Sequence, residues 1–134
     1  MGDGTEALIR SLYATWNAEG VETFRSHCTE DVAWHDDPRV PDATTSEGIE
    51  RVVSRFQGLI DAIGQFQIEV QQLGELDDGR RYSVVQVTAR GQGSGAVVEE
   101  EHLHVLRVAD GLVAEFWLHL DVERARRELG LASG

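Results

Sequence analysis

The sequence predicts an α+β fold in which helices pack on one face of a curved, mainly antiparallel sheet. Three observations carry that prediction. Helical periodicity dominates the chain through about residue 63, and from Gln65 onward the period changes to two until a last helical segment opens at Val122. Turn chemistry is the third, because Asp78-Gly79 and Asp110-Gly111 separate alternating runs as hairpin loops do.

The elements follow in order. Leu8, Ile9, Leu12, Tyr13 and Trp16 recur at helical spacing, which predicts an amphipathic helix from about Thr5 to Glu19, ended by Gly20. Val21 to Cys28 reads as a short second helix. Val32 to Asp36 reads as a short strand with Val32, Trp34 and Asp36 on one face and His35 on the other. Asp37-Pro38 stops that strand, since proline donates nothing to a ladder and restricts the residue before it. Thr44 with Glu47 three residues on predicts a capping box. The helix it opens carries a continuous stripe of Ile49, Val52, Val53, Phe56, Leu59, Ile60 and Ile63, closed by Gly64. Strands are expected at about 66–76, 81–90, 96–108 and 112–121, with a glycine-rich tip from Gly91 to Gly95. Val122 to Leu129 forms the last helix, with Asp121 as its N-cap and Gly130 at its end. No repeat or linker interrupts this order, so residues 1–134 are read as one domain.

Composition narrows the function classes. A hydrophobic fraction of 41% with two prolines fits a folded globular chain, and no apolar run approaches the roughly 18 residues of a bilayer span. A formal charge of −12 argues against nucleic acid and anionic membrane surfaces as partners, because phosphate is bound by Lys and Arg. It leaves a neutral or apolar small molecule open. The single cysteine, Cys28, makes no internal disulfide, and the acidic start Met1 to Glu6 lacks the basic and apolar regions of a signal peptide. Both features predict a cytoplasmic protein.

Two constellations carry candidate chemistry. Asp36 shares a strand face with Trp34, and a carboxylate beside aromatic surface loses solvation, which suits it to general-base work. The alternative is an Asp-Pro turn residue, a reading that applies more strongly to Asp37. The second constellation is the hairpin around Asp110-Gly111. A two-residue loop there sets His104 opposite Trp117 and His102 opposite His119, so Glu100, His102, His104, Trp117, His119 and Asp121 project from one side. Histidines titrate near neutral pH and supply proton donors and acceptors. They also bind divalent metals when three or four ligands converge. The plainest alternative is a polar sheet face. Leu103, Val105, Phe116, Leu118 and Leu120 make the other face apolar, so both faces are expected to be covered, one by helices and one by a partner subunit. That predicts a homodimer through the sheet. A one-residue bulge at the turn would send Trp117 and His119 to the opposite side from His102 and His104. His27 and Cys28 lack a third partner for a triad, and no Ser-His-Asp set has local support.

Trp16-Asn17-Ala18, Thr29 through Asp36, Arg107 through Val113, Glu115 through Asp121 and Arg127 through Leu131 together carry a family resemblance. From about Ala7 to Leu131 the chain resembles the NTF2-like superfamily, and within it the SnoaL-like group of polyketide cyclases and neighbours of the ketosteroid isomerases. The resemblance implies a cystatin-like cone, with helices on the concave face of the sheet and a pocket between them. It implies that Trp34, Asp36, His102, His104, Trp117 and His119 face that pocket, with Asp36 at the position of the isomerases' base and His104 at that of their second acid. The isomerases' tyrosine falls at Leu12, with Tyr13 adjacent but about 100° around the helix. The Arg-Asp-Asp set of the related epoxide hydrolases falls on His102, His104 and His119. The expected function is cofactor-independent proton transfer on a hydrophobic carbonyl compound, of isomerase, dehydratase or cyclase type. In it Asp36 removes a proton, and His104, positioned by His102 or His119, stabilises the enolate oxygen. Tyr13, Trp16, Trp34, Phe56 and Trp117 form the apolar wall. The alternatives are a non-catalytic ligand-binding or dimeric interaction module, and a metal-binding variant using the histidines.

Overall fold

In the computed structural model, which describes residues 4–90 and 97–131, the first apolar stripe forms helix α1 over Gly4–Glu19 and buries Ile9, Leu12, Tyr13 and Trp16. Gly20, at φ 71°, turns the chain into α2 over Glu22–His27. The buried Thr23 hydroxyl donates to the Leu12 carbonyl at 2.6 Å and ties the two helices together. A third helix, α3, spans Ile49–Ile63 and buries Val52 and Phe56, and a fourth, α4, spans Val122–Glu128. At the start of α4 the Asp121 side chain accepts the Arg124 N–H at 3.0 Å, the N-cap its position predicts.

Six strands complete the described residues: β1 (Cys28–His35), β2 (Thr45–Glu47), β3 (Gln67–Glu75), β4 (Arg81–Arg90), β5 (Val97–Ala109) and β6 (Leu112–His119). They form one curved, open sheet in the order β2-β1-β6-β5-β4-β3. β1 and β6 run parallel, and the other neighbours are antiparallel. The architecture is thus the α+β cone. No helix among the described residues is long and apolar enough to cross a membrane.

Three expectations need correction or limits. The Thr44/Glu47 capping box does not form, because Thr45–Glu47 is extended and pairs with Ala33–His35. The helix starts after Gly48, whose φ of 94° makes the break that a capping side chain would otherwise make. β2 escapes sequence reading because three residues of mixed exposure give no measurable alternation. The glycine-rich tip lies outside the described residues.

The β5–β6 hairpin holds the most consequential difference. Asp110 and Gly111, at φ 53° and 78°, form the left-handed two-residue loop expected of Asp-Gly, and the first pairs match it, Ala109 with Leu112 and Val108 with Val113. Ala114 is then extra. Arg107 pairs with Glu115, and the register stays shifted through Leu106 with Phe116, Val105 with Trp117, His104 with Leu118 and Leu103 with His119. A bulge inside the strand, three residues beyond the loop, reverses the facing of everything after it.

That reversal sorts the two faces of the sheet. Phe116 and Leu118 join Trp34, Leu106 and Val85 on the side packed by α1, α2 and α3. The other side carries Tyr82, Val84, Leu103, Val105 and Trp117, and α4 covers it through Val122 and Ala125. Of the apolar residues that suggested a covered second face, Leu103 and Val105 pack here, Phe116 and Leu118 lie on the cavity side, and Leu120 is exposed.

Candidate functional site

Between the three helices and the sheet lies a cavity of about 450 Å³. Such a volume suits a small molecule of drug-like size. Its lining is mostly apolar and aromatic, with Tyr13 and Trp16 from α1, Phe56 from α3, Trp34 from β1 and Phe116 and Leu118 from β6. At its rim stand apolar side chains that are substantially exposed, Ile63, Val98 and Leu120. The polar groups are few. Asp36, Arg55, Glu100, His102 and His104 are the charged or titratable ones besides Tyr13.

His104 sits deepest in chemical terms. Its register neighbour on β4 is Ser83, which is fully buried, and α1 brings Tyr13 down onto both. The Tyr13 hydroxyl lies 2.6 Å from Ser83 Oγ and 2.8 Å from His104 Nδ1. Counting hydrogens assigns the direction of this chain. Ser83 has no acceptor other than Tyr13 among the described residues, so it donates to the phenol oxygen, and Tyr13 donates to Nδ1. The opposite wiring would leave a buried hydroxyl hydrogen without an acceptor. Nδ1 is therefore the acceptor and Nε2 carries the proton of the neutral ring. Among the described residues Nε2 has no hydrogen-bond partner and is not one of the enclosed unpaired atoms, so it opens into the cavity.

Burial keeps the ring neutral. Desolvation, aided by the neighbouring His102 and His119, pulls the pKa of His104 down to about 3. Desolvation likewise pushes the Tyr13 phenol well above its ordinary value, against the opposing Ser83 hydrogen bond. The Tyr13 ring stacks on His104 with centroids 5.8 Å apart, and Trp34 stands edge-on to it at 5.8 Å. The imidazole is clamped as a neutral N–H donor.

Asp36 follows β1 and lies on the same face as Trp34, as strand parity predicts. Its carboxylate is heavily used. Oδ1 accepts Trp34 Nε1 at 3.2 Å and Arg55 Nη2 at 2.7 Å, and Oδ2 accepts the Thr44 backbone N–H at 3.2 Å. A carboxylate offers about four lone-pair sites, so one remains, on Oδ2. Arg55 and Ser83 are the site residues that sequence reading misses. Both have a signal: Arg55 stands three residues from Val52 and four from Leu59 on the stripe of α3, and Ser83 shares strand parity with Val85 and Val87.

The remaining candidates divide. His102 lines the cavity, its ring 6.3 Å from His104, and its Nε2 pairs with Glu100 at 3.0 Å. Trp117 and His119 do not line it, because the Ala114 bulge turns them to the outer face. There Trp117 stacks on His35 at 5.3 Å with the Arg80 guanidinium over its ring at 4.9 Å. His119, half-buried, has its pKa lowered by desolvation and sits near the charges of Asp37, Glu128, Arg39 and Arg80. His119 and Trp117 thus stand outside the cavity lining where they were expected, although His119 stays close enough to His104 to act on it electrostatically. Asp37 is a structural anchor: buried, it accepts the Leu120 N–H at 2.8 Å and is paired with Arg39 at 3.1 Å. Among the described residues no group of three or more His, Cys, Asp or Glu side chains is placed to hold a metal ion. Cys28 is buried, and desolvation pushes its thiol up to about 12, which leaves it unreactive.

Comparison with known proteins places this geometry among others. Residues 9–116 match the family model of the SnoaL-like domain. An NTF2-like protein of unknown function from Burkholderia pseudomallei superposes with a TM-score of 0.76 at 15% identity, over 96% of this chain and 98% of that one. A protein from Mycobacterium tuberculosis, solved in complex with estradiol-17β-hemisuccinate, superposes with a TM-score of 0.74 at 16% identity, over 90% and 96%. An uncharacterised cystatin-fold protein from Novosphingobium aromaticivorans does so with a TM-score of 0.68 at 20% identity, over 87% and 98%. No functionally curated protein matches the sequence.

Proposed function

This chain belongs to the SnoaL-like domain family, and from that membership and the chemistry of its cavity we propose that it binds an apolar carbonyl compound and moves a proton on it, as an isomerase, dehydratase or cyclase does. One observation carries the reading: a neutral imidazole N–H, fixed by Tyr13 and Ser83, opens into an apolar cavity that Asp36 also lines. The carbonyl oxygen of the ligand accepts from His104 Nε2. The free lone pair of Asp36 Oδ2 takes a proton from the adjacent carbon, and the electron pair moves into the carbonyl to give an enolate. His104 stabilises the oxygen, and Arg55, left facing a protonated Asp36, supplies the countercharge. Return of the proton to a different carbon completes an isomerisation, and attack of the enolate carbon on a second carbonyl carbon, whose oxygen then takes the proton back from Asp36, completes a cyclisation. The Mycobacterium neighbour, solved with estradiol-17β-hemisuccinate, supports a ligand with a large apolar body in this scaffold.

Deuterium incorporation tests the chemistry. A panel of apolar ketones incubated with the protein in D₂O is expected to include at least one that gains mass faster than in buffer. Asp36→Asn is expected to slow that gain by about 10²–10⁴, and His104→Ala by about 10²–10³. A ketone that binds but never exchanges, across the whole panel, would contradict the proposal. It would support the second reading, a non-catalytic binding module, which the three hydrogen bonds already made to Asp36 favour.

A further inference from the structure

We propose that Arg55 is a second ligand contact, and that the molecule this cavity takes is a neutral dicarbonyl compound, one oxygen held by His104 and the other by Arg55. The inference rests on the cavity reading above but not on proton transfer. Arg55 lines the cavity from α3 with its side chain about one-third exposed (35%). Its guanidinium carries five N–H donors in a rigid planar fork, yet only Nη2 has an acceptor among the described residues, the Asp36 carboxylate. Nε is enclosed without a partner. Nη1 also has no acceptor among the described residues, but it is not enclosed, so it remains open to a ligand. A ligand oxygen at Nη1 would take the place of solvent there, exchanging one hydrogen bond for another inside a mostly apolar cavity.

Position and charge set the ligand class. Trp34 connects the two polar poles: its ring stands edge-on to His104, and its N–H donates to the same Asp36 oxygen that holds Arg55. Phe56 packs edge-on against Trp34 at 4.6 Å, so the surface between the poles is aromatic. A single molecule lying along that surface meets a donor at each end. Both donors call for acceptor oxygens. Asp36 already neutralises Arg55, and the chain carries a formal charge of −12, so a neutral carbonyl suits Arg55 better than a carboxylate.

Binding measurements separate this from the chemistry. The probes are octanophenone and three diketone analogues with the second carbonyl three, four or five carbons further along the chain, titrated against tryptophan fluorescence. At least one diketone is expected to bind the unaltered protein about tenfold or more tighter than octanophenone, the gain from one hydrogen bond to a charged donor. Arg55→Met is expected to erase that advantage, read as the ratio of the octanophenone and diketone dissociation constants within each protein. Because Arg55→Met strands a buried carboxylate and risks misfolding, the Asp36→Asn/Arg55→Met double variant is measured beside it, with the same result expected. No diketone advantage in the unaltered protein, or an advantage that survives in either variant, overturns the inference. A diketone advantage without deuterium exchange would instead contradict only the proton-transfer reading.

Discussion

His104 carries a proton-linked cost that reports on its surroundings. Its folded pKa lies near 3 against 6.5 for an unperturbed imidazole, so between those values the unfolded chain binds a proton that the folded chain does not. Stability from this group is therefore complete above about pH 6.5 and falls as the pH drops toward 3, by up to about 1.4 kcal/mol per pH unit. His104→Gln is expected to flatten the profile of unfolding free energy between pH 7 and pH 5 by about that slope, read from urea titrations. Parallel profiles for the two proteins would contradict a buried neutral histidine. Asp37 acts with the opposite timing. Burial alone would raise its pKa, but the Arg39 side chain and the Leu120 and Arg39 N–H groups hold it at about 2, so its contribution is lost only as pH falls from about 4 through 2. Much of the site is legible at this scale. Strand parity puts Trp34 with Asp36, and helical phase puts Tyr13, Trp16 and Phe56 inward. Arg55 is missed because a charged residue on a helix stripe usually reads as its solvated flank. Ser83 is missed because its meaning depends on a neighbour, His104, that only the β4–β5 register supplies.

The bulge at Ala114 shows what an element hides. Turn chemistry at Asp110-Gly111 correctly sets the loop and the first pairs, yet a single extra residue downstream inverts the facing of Trp117 and His119. Nothing in the local alternation marks it, since Val113 and Ala114 are successive apolar residues, both buried, and either could have been read as the inward one. The inversion is forced by packing: Phe116, fully buried in the core between Phe24 and Trp34, needs the inner face. A second close contact of this kind joins β3 and β4, where Gly74 pairs with Tyr82. A side chain there would have its first carbon 2.5 Å from the Tyr82 ring, which is inside contact distance. Gly74→Ala is expected to destabilise the fold by about 1–3 kcal/mol through overpacking, as measured by denaturant unfolding. An unchanged midpoint would mean that Tyr82 has room to move. The helix-to-sheet joints are firmer: Asn17 donates to the Ile68 carbonyl and accepts the Ile68 N–H, both at 2.8 Å, in the manner of an added strand residue.

Across the molecule, the charge and the cavity point to the same kind of partner. A formal charge of −12 works against binding polyanions, and the interior offers a mostly apolar space with a few fixed polar groups, both in line with the proposed ligand. A ligand that binds only the folded state raises stability by mass action, so a tight diketone at 100 times its dissociation constant is expected to add about 2.7 kcal/mol. The division of the sheet into a cavity face and an α4-covered face was only half legible in the sequence, because alternation assigns residues to two faces without saying what covers each. The proposed function depends on how the imidazole of His104 is wired. Nitrogen-15 spectra of the histidine rings, with His104 assigned through His104→Gln, measure that wiring directly. The ring is expected to be neutral from pH 7 to pH 5, protonated on Nε2 and unprotonated on Nδ1, with the Nδ1 signal altered in Tyr13→Phe. A ring protonated on Nδ1, or one that titrates near pH 6.5, would contradict that wiring.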